Sequence, residues 1–444
     1  MSRDSVEHLA RGLAWGFLAA PEWNERALLT AAAETLGRRY RWLRQVVTPV
    51  MAANRSAPAD RPHELARFLL AATPLREHAA RAAQHGSPIR VRAIALAPAR
   101  MGVRRWPVPE IDDLASLAVL LELPLEQLTW AADTKGLQRR TPAGPLHLYR
   151  YRWVSRPKAV PRLLEAPTPL LRAVLRRALE EVLRWVPVHP AAHGFVRGRS
   201  ALTNAAAHVG ADTVACMDLR TFFASITAAR VNGLFRAMGY PESVAWTLTG
   251  LCTHRTPVHV LSQMPDGGDS SARHRLRAEL RASHLAQGAP SSPALANLVC
   301  FTLDQRLAGY ATAAGLTYTR YADDLALSGR KVNAAALIRA VTTIAHQEGF
   351  VINTTKTRVR KANQRHEITG LVTNDRLGVP REYHDQLRAV LHDARHNGAE
   401  LANRARHPHF RAHLDGRVGW VESVNPARGR RLRAEFEAIS WPDQ

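Results

Sequence analysis

Two short acidic patches, far apart in the chain, constrain its fold more than any other feature. One is Asp218, at the end of Thr213-Val214-Ala215-Cys216-Met217; the other is Asp323-Asp324, after Tyr321-Ala322. The run before Asp218 is short and apolar, as in a buried strand, so the carboxylate is expected where that strand ends. Leu316 to Tyr321 and Leu325 to Ser328 mix β-branched, aromatic and apolar residues. This suits two strands joined by a tight turn, with Asp323 and Asp324 at its tip. If the strands are neighbours, Asp218 and Asp323 can face each other. Adjacent strand residues point to opposite faces, so Asp218 and Asp323 are expected as direct cation ligands and Asp324 in a supporting role. Hard carboxylate oxygens suit Mg²⁺, which is held by one or two carboxylates plus substrate phosphates. Two such ions stabilise the attacking and leaving oxygens of an in-line phosphoryl transfer. The alternative is a pair of aspartates on a solvated turn, and the surrounding sequence decides between them.

The chain has 444 residues, enough for a sizeable core and two or three structural units. Lys and Arg total 61 against 38 Asp and Glu, a formal net charge of +23 in a chain that is 46% hydrophobic. That balance suggests a folded protein with a polyanionic partner, although Ala and Arg abundance throughout also fits a biased composition. Cys216, Cys252 and Cys300 are isolated, so neither a zinc ribbon nor a disulfide framework is indicated, and a reducing cytoplasm fits. The N-terminal segment lacks a signal-peptide apolar region, and no run approaches ~18 uninterrupted apolar residues. A soluble, unexported, cytoplasmic protein without a membrane partner is expected.

Residues 1–105 are rich in Ala and Arg, with helical patches such as Arg26 to Ala33 and His63 to Leu70, and show no chemistry. Ile111 to Trp130 predicts one or two helices broken near Pro124, and His147 to Val154 a strand. After Pro169, Leu171, Val174, Leu175 and Ala178 fall at helical spacing. Tyr383, Leu387, Val390, Leu391 and Ala394 mark another helix, ended by Asn397-Gly398, and a final helix is predicted from about Arg430 to Ile439. Arg388 and Arg395 lie on a charged face. Such a face is solvated by default, and grips nucleic acid only in company with the metal site.

Several loops suit a phosphate-handling site. Arg156-Pro157-Lys158 and Arg162 read as a basic hairpin that would neutralise an incoming triphosphate, or as ordinary exposed residues. In His193 to Ser200, Gly194 and Gly198 flank basic Arg197, with Arg199 following; glycine permits close backbone approach to phosphate, and a plain loop is the alternative. The Phe223 ring, five positions after Asp218, could exclude a 2′-hydroxyl; Phe222 and Phe223 could both be core instead. Gln287-Gly288 precedes a helix whose first turn suits Pro293, in a loop small enough for a nucleotide to lie against backbone. Lys356 is a candidate proton donor to departing pyrophosphate, or an exposed lysine in a turn.

Taken in order, these segments resemble reverse transcriptases, specifically the bacterial retron-type branch, over about residues 108–444. Asn204-Ala205-Ala206-Ala207-His208 is similar to the Asn-Ala-x-x-His element of retron enzymes, and Ile368-Thr369-Gly370 to their Val-Thr-Gly element, with Ala286 replacing the usual proline before Gln-Gly. The resemblance implies an α+β right-hand polymerase. Its divisions would be a helical extension at 1–105, fingers and the start of the palm at 106–212, palm with a fingers insertion at 213–372, and a helical thumb at 373–444. It implies two Mg²⁺ ions at Asp218, the adjacent Leu219, Asp323 and Asp324. A dNTP site is implied at Arg162, Phe223, Gln287, Gly288 and Lys356, and RNA contacts at Arg197, Arg199, Asn204, His208, Thr369, Gly370, Arg388 and Arg395. The implied activity is copying part of a cognate structured noncoding RNA, of msr-msd type, into attached single-stranded msDNA, primed from an internal guanosine 2′-hydroxyl. Retron systems are antiphage defence units, so a separately encoded effector protein is an implied partner. The alternatives are another bacterial reverse transcriptase, intron-like or defence-associated, and an inactive RNA-binding scaffold.

Overall fold

The computed structural model describes residues 3–95, 97–138, 141, 144, 146–156 and 159–441. The expected basic turn at Pro157 and Lys158 lies outside them. The chain forms two compact units, residues 1–187 with 226–295, and residues 188–225 with 296–444.

In the first unit the N-terminal region is helical as expected: Arg3–Leu18, Glu25–Leu36, Leu43–Ala53, Pro62–Ala71 and Thr73–Gln84. Local chemistry sets the boundaries. Asn24 caps the second helix by accepting from the Ala27 N–H at 2.9 Å, and Gly37 ends it at φ 69°. Leu9, Leu13, Phe17, Leu28, Leu43, Val47 and Leu69 form a shared buried core, each burial worth about 1.5–3 kcal/mol. This bundle is tied to the 226–295 segment through polar chemistry. The buried Glu242 carboxylate accepts from the N–H groups of His63 (2.8 Å) and Glu64 (2.9 Å) at the start of Pro62–Ala71, where a negative charge suits the helix dipole. Arg236 pairs with Asp60 at 2.8 Å. Strands β1 (Tyr149–Val154) and β2 (Arg162–Pro167) form an antiparallel hairpin, and helix Pro169–Glu181 follows. Leu114–Leu121 and Leu125–Ala132 break at Pro124. No single helix among the described residues is long and apolar enough to cross a membrane; this pair passes jointly on composition but is bent by 93°.

The second unit is built on β3 (Thr213–Asp218), β4 (Thr317–Tyr321), β5 (Asp324–Gly329) and β6 (Arg358–Lys361), in the antiparallel order β4-β5-β3-β6. A small hairpin, β7 (Glu367–Ile368) and β8 (Leu371–Val372), precedes helices Arg381–Asn397, Phe410–Val424 and Pro426–Glu437. The predicted stop at Gly398 is present, at φ 91°. Val214 and Ala326 of the sheet share one core with Ile368, Leu371, Leu387, Leu391, Leu414 and Leu432.

Candidate active site

β3 ends on Asp218 and β5 begins on Asp324, and the register sets those two residues directly opposite each other. Directly opposed residues share a sheet face, with Cβ atoms ~4.5–5.5 Å apart. Asp323 lies one position earlier, in the turn with Ala322 between the paired Tyr321 and Asp324, and its carbonyl accepts from the Leu219 N–H at 2.9 Å. The register makes Asp324 the strand partner of Asp218, with Asp323 in the adjoining turn. Leu219 is a buried apolar side chain, so only its main-chain carbonyl could serve a cation.

The Asp218 side chain is 9% exposed. Its Oδ1 faces the Lys356 ammonium at 2.5 Å and its Oδ2 accepts from Asn353 Nδ2 at 3.1 Å. Asn353 also donates its backbone N–H to the Asp218 carbonyl at 2.7 Å. Asp324 keeps solvent access, yet partial desolvation and then the charges of Asp323 and Asp218 push its carboxyl up to about 6, with Lys356 opposing. Among the described residues no group of three or more His, Cys, Asp or Glu forms a ready metal cage. The oxygen-only donor set and its crowded negative charge fit a hard cation that shares its coordination with substrate phosphates.

The aspartate turn is held from below by residues that sequence reasoning passed over. Arg320, fully buried, donates through Nε and Nη2 to both oxygens of buried Asp304 (2.8 and 2.6 Å) and through Nη1 to Asn297 Oδ1 and the Ala322 carbonyl (both 3.0 Å). Tyr318 adds a hydroxyl bond to Asp304 at 2.8 Å. Ala322 has φ 56°, a costly conformation for a residue with a Cβ. Gly194 packs against the same turn; a Cβ there would sit 2.6 Å from the Ala322 nitrogen. Its lack of a Cβ thus serves this turn. The available cue for Arg320 was an arginine inside the otherwise uncharged run Tyr318-Thr319-Arg320-Tyr321.

A cleft of about 670 Å³ opens beside the carboxylates, lined by Asp218, Asp324, Lys356, Arg358 and Arg360, with Asn204, Thr369 and Gly370 across from them in sequence. Thr369 (φ 49°) and Gly370 (φ 78°) form the two-residue β7–β8 turn, the conformation hairpins favour. The Thr369 hydroxyl donates to the Ala201 carbonyl at 3.1 Å, which joins this turn to helix Ala201–Ala206. Asn204 is 1% exposed, and its Oδ1 has no hydrogen-bond partner among the described residues.

A family model described as reverse transcriptase (RNA-dependent DNA polymerase) matches residues 157–373. The chain is 34% identical to the retron Mx162 reverse transcriptase of Myxococcus xanthus, over 74% of this chain and 67% of that one. It is 34% identical to the retron Ec86 reverse transcriptase of Escherichia coli, over 55% and 70%. The chain belongs to the retron reverse transcriptases. With the Mx65 member of the family, also from Myxococcus xanthus, identity is 44% over 61% of this chain and 60% of that one, so the chain spans less than two thirds of that relative's length. Likeness to a solved foamy viral protease-reverse transcriptase with double-stranded DNA is low, at TM-score 0.31 and 15% identity over 69% of this chain and 47% of that one. Membership in the retron family rests on sequence.

Within this retron-family frame the remaining candidates divide by burial. His208 is 1% exposed, with Nδ1 against Ser328 Oγ (2.7 Å) and Nε2 against Thr319 Oγ1 (2.8 Å). Burial first, then His193, pushes its pKa down to about 4. It pins β4 and β5 and has no ring nitrogen left for RNA, so direct contact is corrected to a positioning part. Half-buried Arg199 donates through Nη1 to the carbonyls of His189, Pro190 and Ala192, whereas Arg197, Arg388 and Arg395 are exposed. Phe222 is buried against Phe350 and Phe223 is half-buried beside Phe195, with ring centroids 6.2 and 6.4 Å apart respectively. In the first unit, Arg162 is exposed on β2. The Gln287 carbonyl accepts from the Glu165 N–H at 2.9 Å, and a Cβ at Gly288 would meet the Glu165 carbonyl at 2.9 Å.

Proposed function

We propose that this chain is the RNA-directed DNA polymerase of a retron, copying part of a cognate structured noncoding RNA into branched single-stranded msDNA from dNTPs, primed by a guanosine 2′-hydroxyl. The observation that carries the reading is the Asp218–Asp324 register with Asp323 in the adjoining turn. Asp218, Asp323 and Asp324 would hold two Mg²⁺ ions, which when bound supply charge stabilisation to the attacking and leaving oxygens. Lys356, 48% exposed and set against Asp218, is placed to give a proton or a positive charge to departing pyrophosphate. Phe223 offers a half-buried ring as a wedge against a ribose 2′-hydroxyl. Arg358 and Arg360 would track phosphates in the cleft, while Asn204, Thr369 and Gly370 contact the cognate RNA. Antiphage defence with a separately encoded effector, in the cytoplasm, belongs to the same reading.

Primer extension on an RNA template with Mg²⁺ and dNTPs tests it. Wild type should extend and Asp323→Asn should lose at least 10²-fold in rate, the scale of losing one transition-state charge contact. Equal product from both proteins would remove the catalytic assignment of Asp323, and no product from either would leave an RNA-binding scaffold.

A further inference from the structure

A second cleft, about 470 Å³, lies within the first unit, walled by the end of helix Leu125–Ala132, by β1 and by helix Glu242–Cys252 (Ala131 to Gly136, His147 to Tyr151, Trp246 to Gly250). Asp218, Asp323 and Asp324 do not line it, and its volume falls in the range of small-ligand sites, roughly 300–1,000 Å³. The floor is aromatic. Tyr149 packs on His254 with centroids 4.0 Å apart, and the Tyr151 hydroxyl meets His254 Nε2 at 2.8 Å. Burial pushes His254 down to about 4, so the floor is uncharged near neutral pH. Trp246 stands beside it, 51% exposed. The rim is basic, with Lys135 and Arg255 both exposed. The acid on that rim, Asp133, turns its Oδ1 to the N–H groups of Leu137 and Gln138 (2.5 and 3.2 Å).

The floor is also stiff. Beneath it, buried Glu165 accepts from Thr256 Oγ1 at 2.7 Å and pairs with buried His284 at 2.9 Å. The backbones of His284 and His254 exchange two hydrogen bonds, at 2.8 and 3.0 Å. An uncharged aromatic floor under a basic rim matches single-stranded nucleic acid, whose bases stack on aromatic faces while cations follow the phosphates. Paired bases cannot enter such a cleft without unstacking. We propose that this cleft holds one unpaired nucleotide of RNA, its base against Trp246 and Tyr151 and its phosphate near Lys135 and Arg255. The identity of the ligand as RNA rests on the polymerase reading; the cleft's preference for an unpaired base does not.

The test uses the full chain with a fluorescein-labelled, unstructured 12-nucleotide RNA, a DNA strand of the same sequence and an RNA duplex, read by anisotropy. Trp246→Ala and the double variant Lys135→Ala/Arg255→Ala remove exposed side chains, so folding should be retained. Each should weaken single-stranded RNA about 10-fold, within the roughly 5- to 150-fold span of one lost base stack. Duplex RNA affinity and extension of a pre-annealed primer at saturating template should stay within 2-fold of wild type. Unchanged single-strand affinity in both variants would overturn the proposal, as would an equal loss on the duplex or a loss confined to DNA. Asp323→Asn, measured alongside, should bind all three probes like wild type and fail to extend. If wild type also fails to extend, the polymerase reading fails while the Trp246 result stands on its own; extension by Asp323→Asn would remove only that residue's catalytic assignment.

Discussion

The two partners of the Asp218 carboxylate differ in what they can do. Asn353 is neutral and holds the carboxylate's orientation, whereas Lys356 carries a charge and a transferable proton. Lys356→Ala should therefore lower the extension rate about 10²-fold, the low end for loss of a general acid. Asn353→Ala should cost less. A Lys356→Ala rate within 2-fold of wild type would return the lysine to an ordinary ion pair. At Phe223, a smaller side chain removes the wedge: Phe223→Val should raise ribonucleotide incorporation relative to deoxynucleotide, measured by competition in the same extension assay. Unchanged discrimination would remove that assignment. Phe222, buried against Phe350, should when changed cost stability instead.

At the level of elements, two buried ion pairs support different parts of the chain. Under the β4–β5 turn, Asp304 balances Arg320, both fully buried. Breaking one partner of such a pair leaves an uncompensated charge and costs about 3–5 kcal/mol. Asp304→Asn should lower stability to urea by that order and abolish extension, because the Ala322 carbonyl loses a fixed donor; normal activity with normal stability would show the turn holds itself. Under β2, His284 faces the Ala282 carbonyl with Nδ1 and Glu165 with Nε2, two acceptors that require both nitrogens to donate. Burial would push His284 down, but Glu165 outweighs it and holds the imidazolium above 6.5. Burial would likewise push Glu165 up, and His284 holds it below 4.5. The pair's stabilisation is therefore complete between those values. It fades as pH falls through the folded pKa of Glu165 or rises through that of His284. Glu165→Gln should destabilise most near about pH 5.5 and differ less from wild type at about pH 9, as followed by thermal unfolding. A pH-independent difference would contradict a charged pair.

For the whole molecule, the formal charge of +23 demands a salt-sensitive partner if it is more than composition. RNA affinity should fall steeply with salt, by a slope of about −0.7 per neutralised phosphate on a single strand. Replacing both exposed cleft arginines, Arg358→Ala with Arg360→Ala, should reduce that slope by roughly 1–1.5. A slope near zero would favour the compositional reading of the charge. The N-terminal bundle belongs to the same scale. Its helices were legible as helices, but Glu242 at the start of Pro62–Ala71 and Arg236 against Asp60 lie far away in sequence. Nothing local predicts that the bundle and the 226–295 segment make one unit.

The sequence by itself determined what depends on near neighbours. The apolar run into Asp218, the strand–turn–strand around Asp323-Asp324, the break at Pro124 and the helix stop at Gly398 all follow from side-chain pattern and backbone preference over a few residues. The resemblance added the order of those pieces and the Asn204 and Thr369-Gly370 elements, which the fold then brings to one cleft. Only tertiary structure decided register and burial, because both are set by partners distant in the chain. Register made Asp324 the residue facing Asp218. Burial turned the His208 ring to Ser328 and Thr319, and close packing set Gly194 against the turn. Long-range contact also placed Arg320 beneath the aspartates, where a single arginine among 61 basic residues could not be singled out from sequence alone.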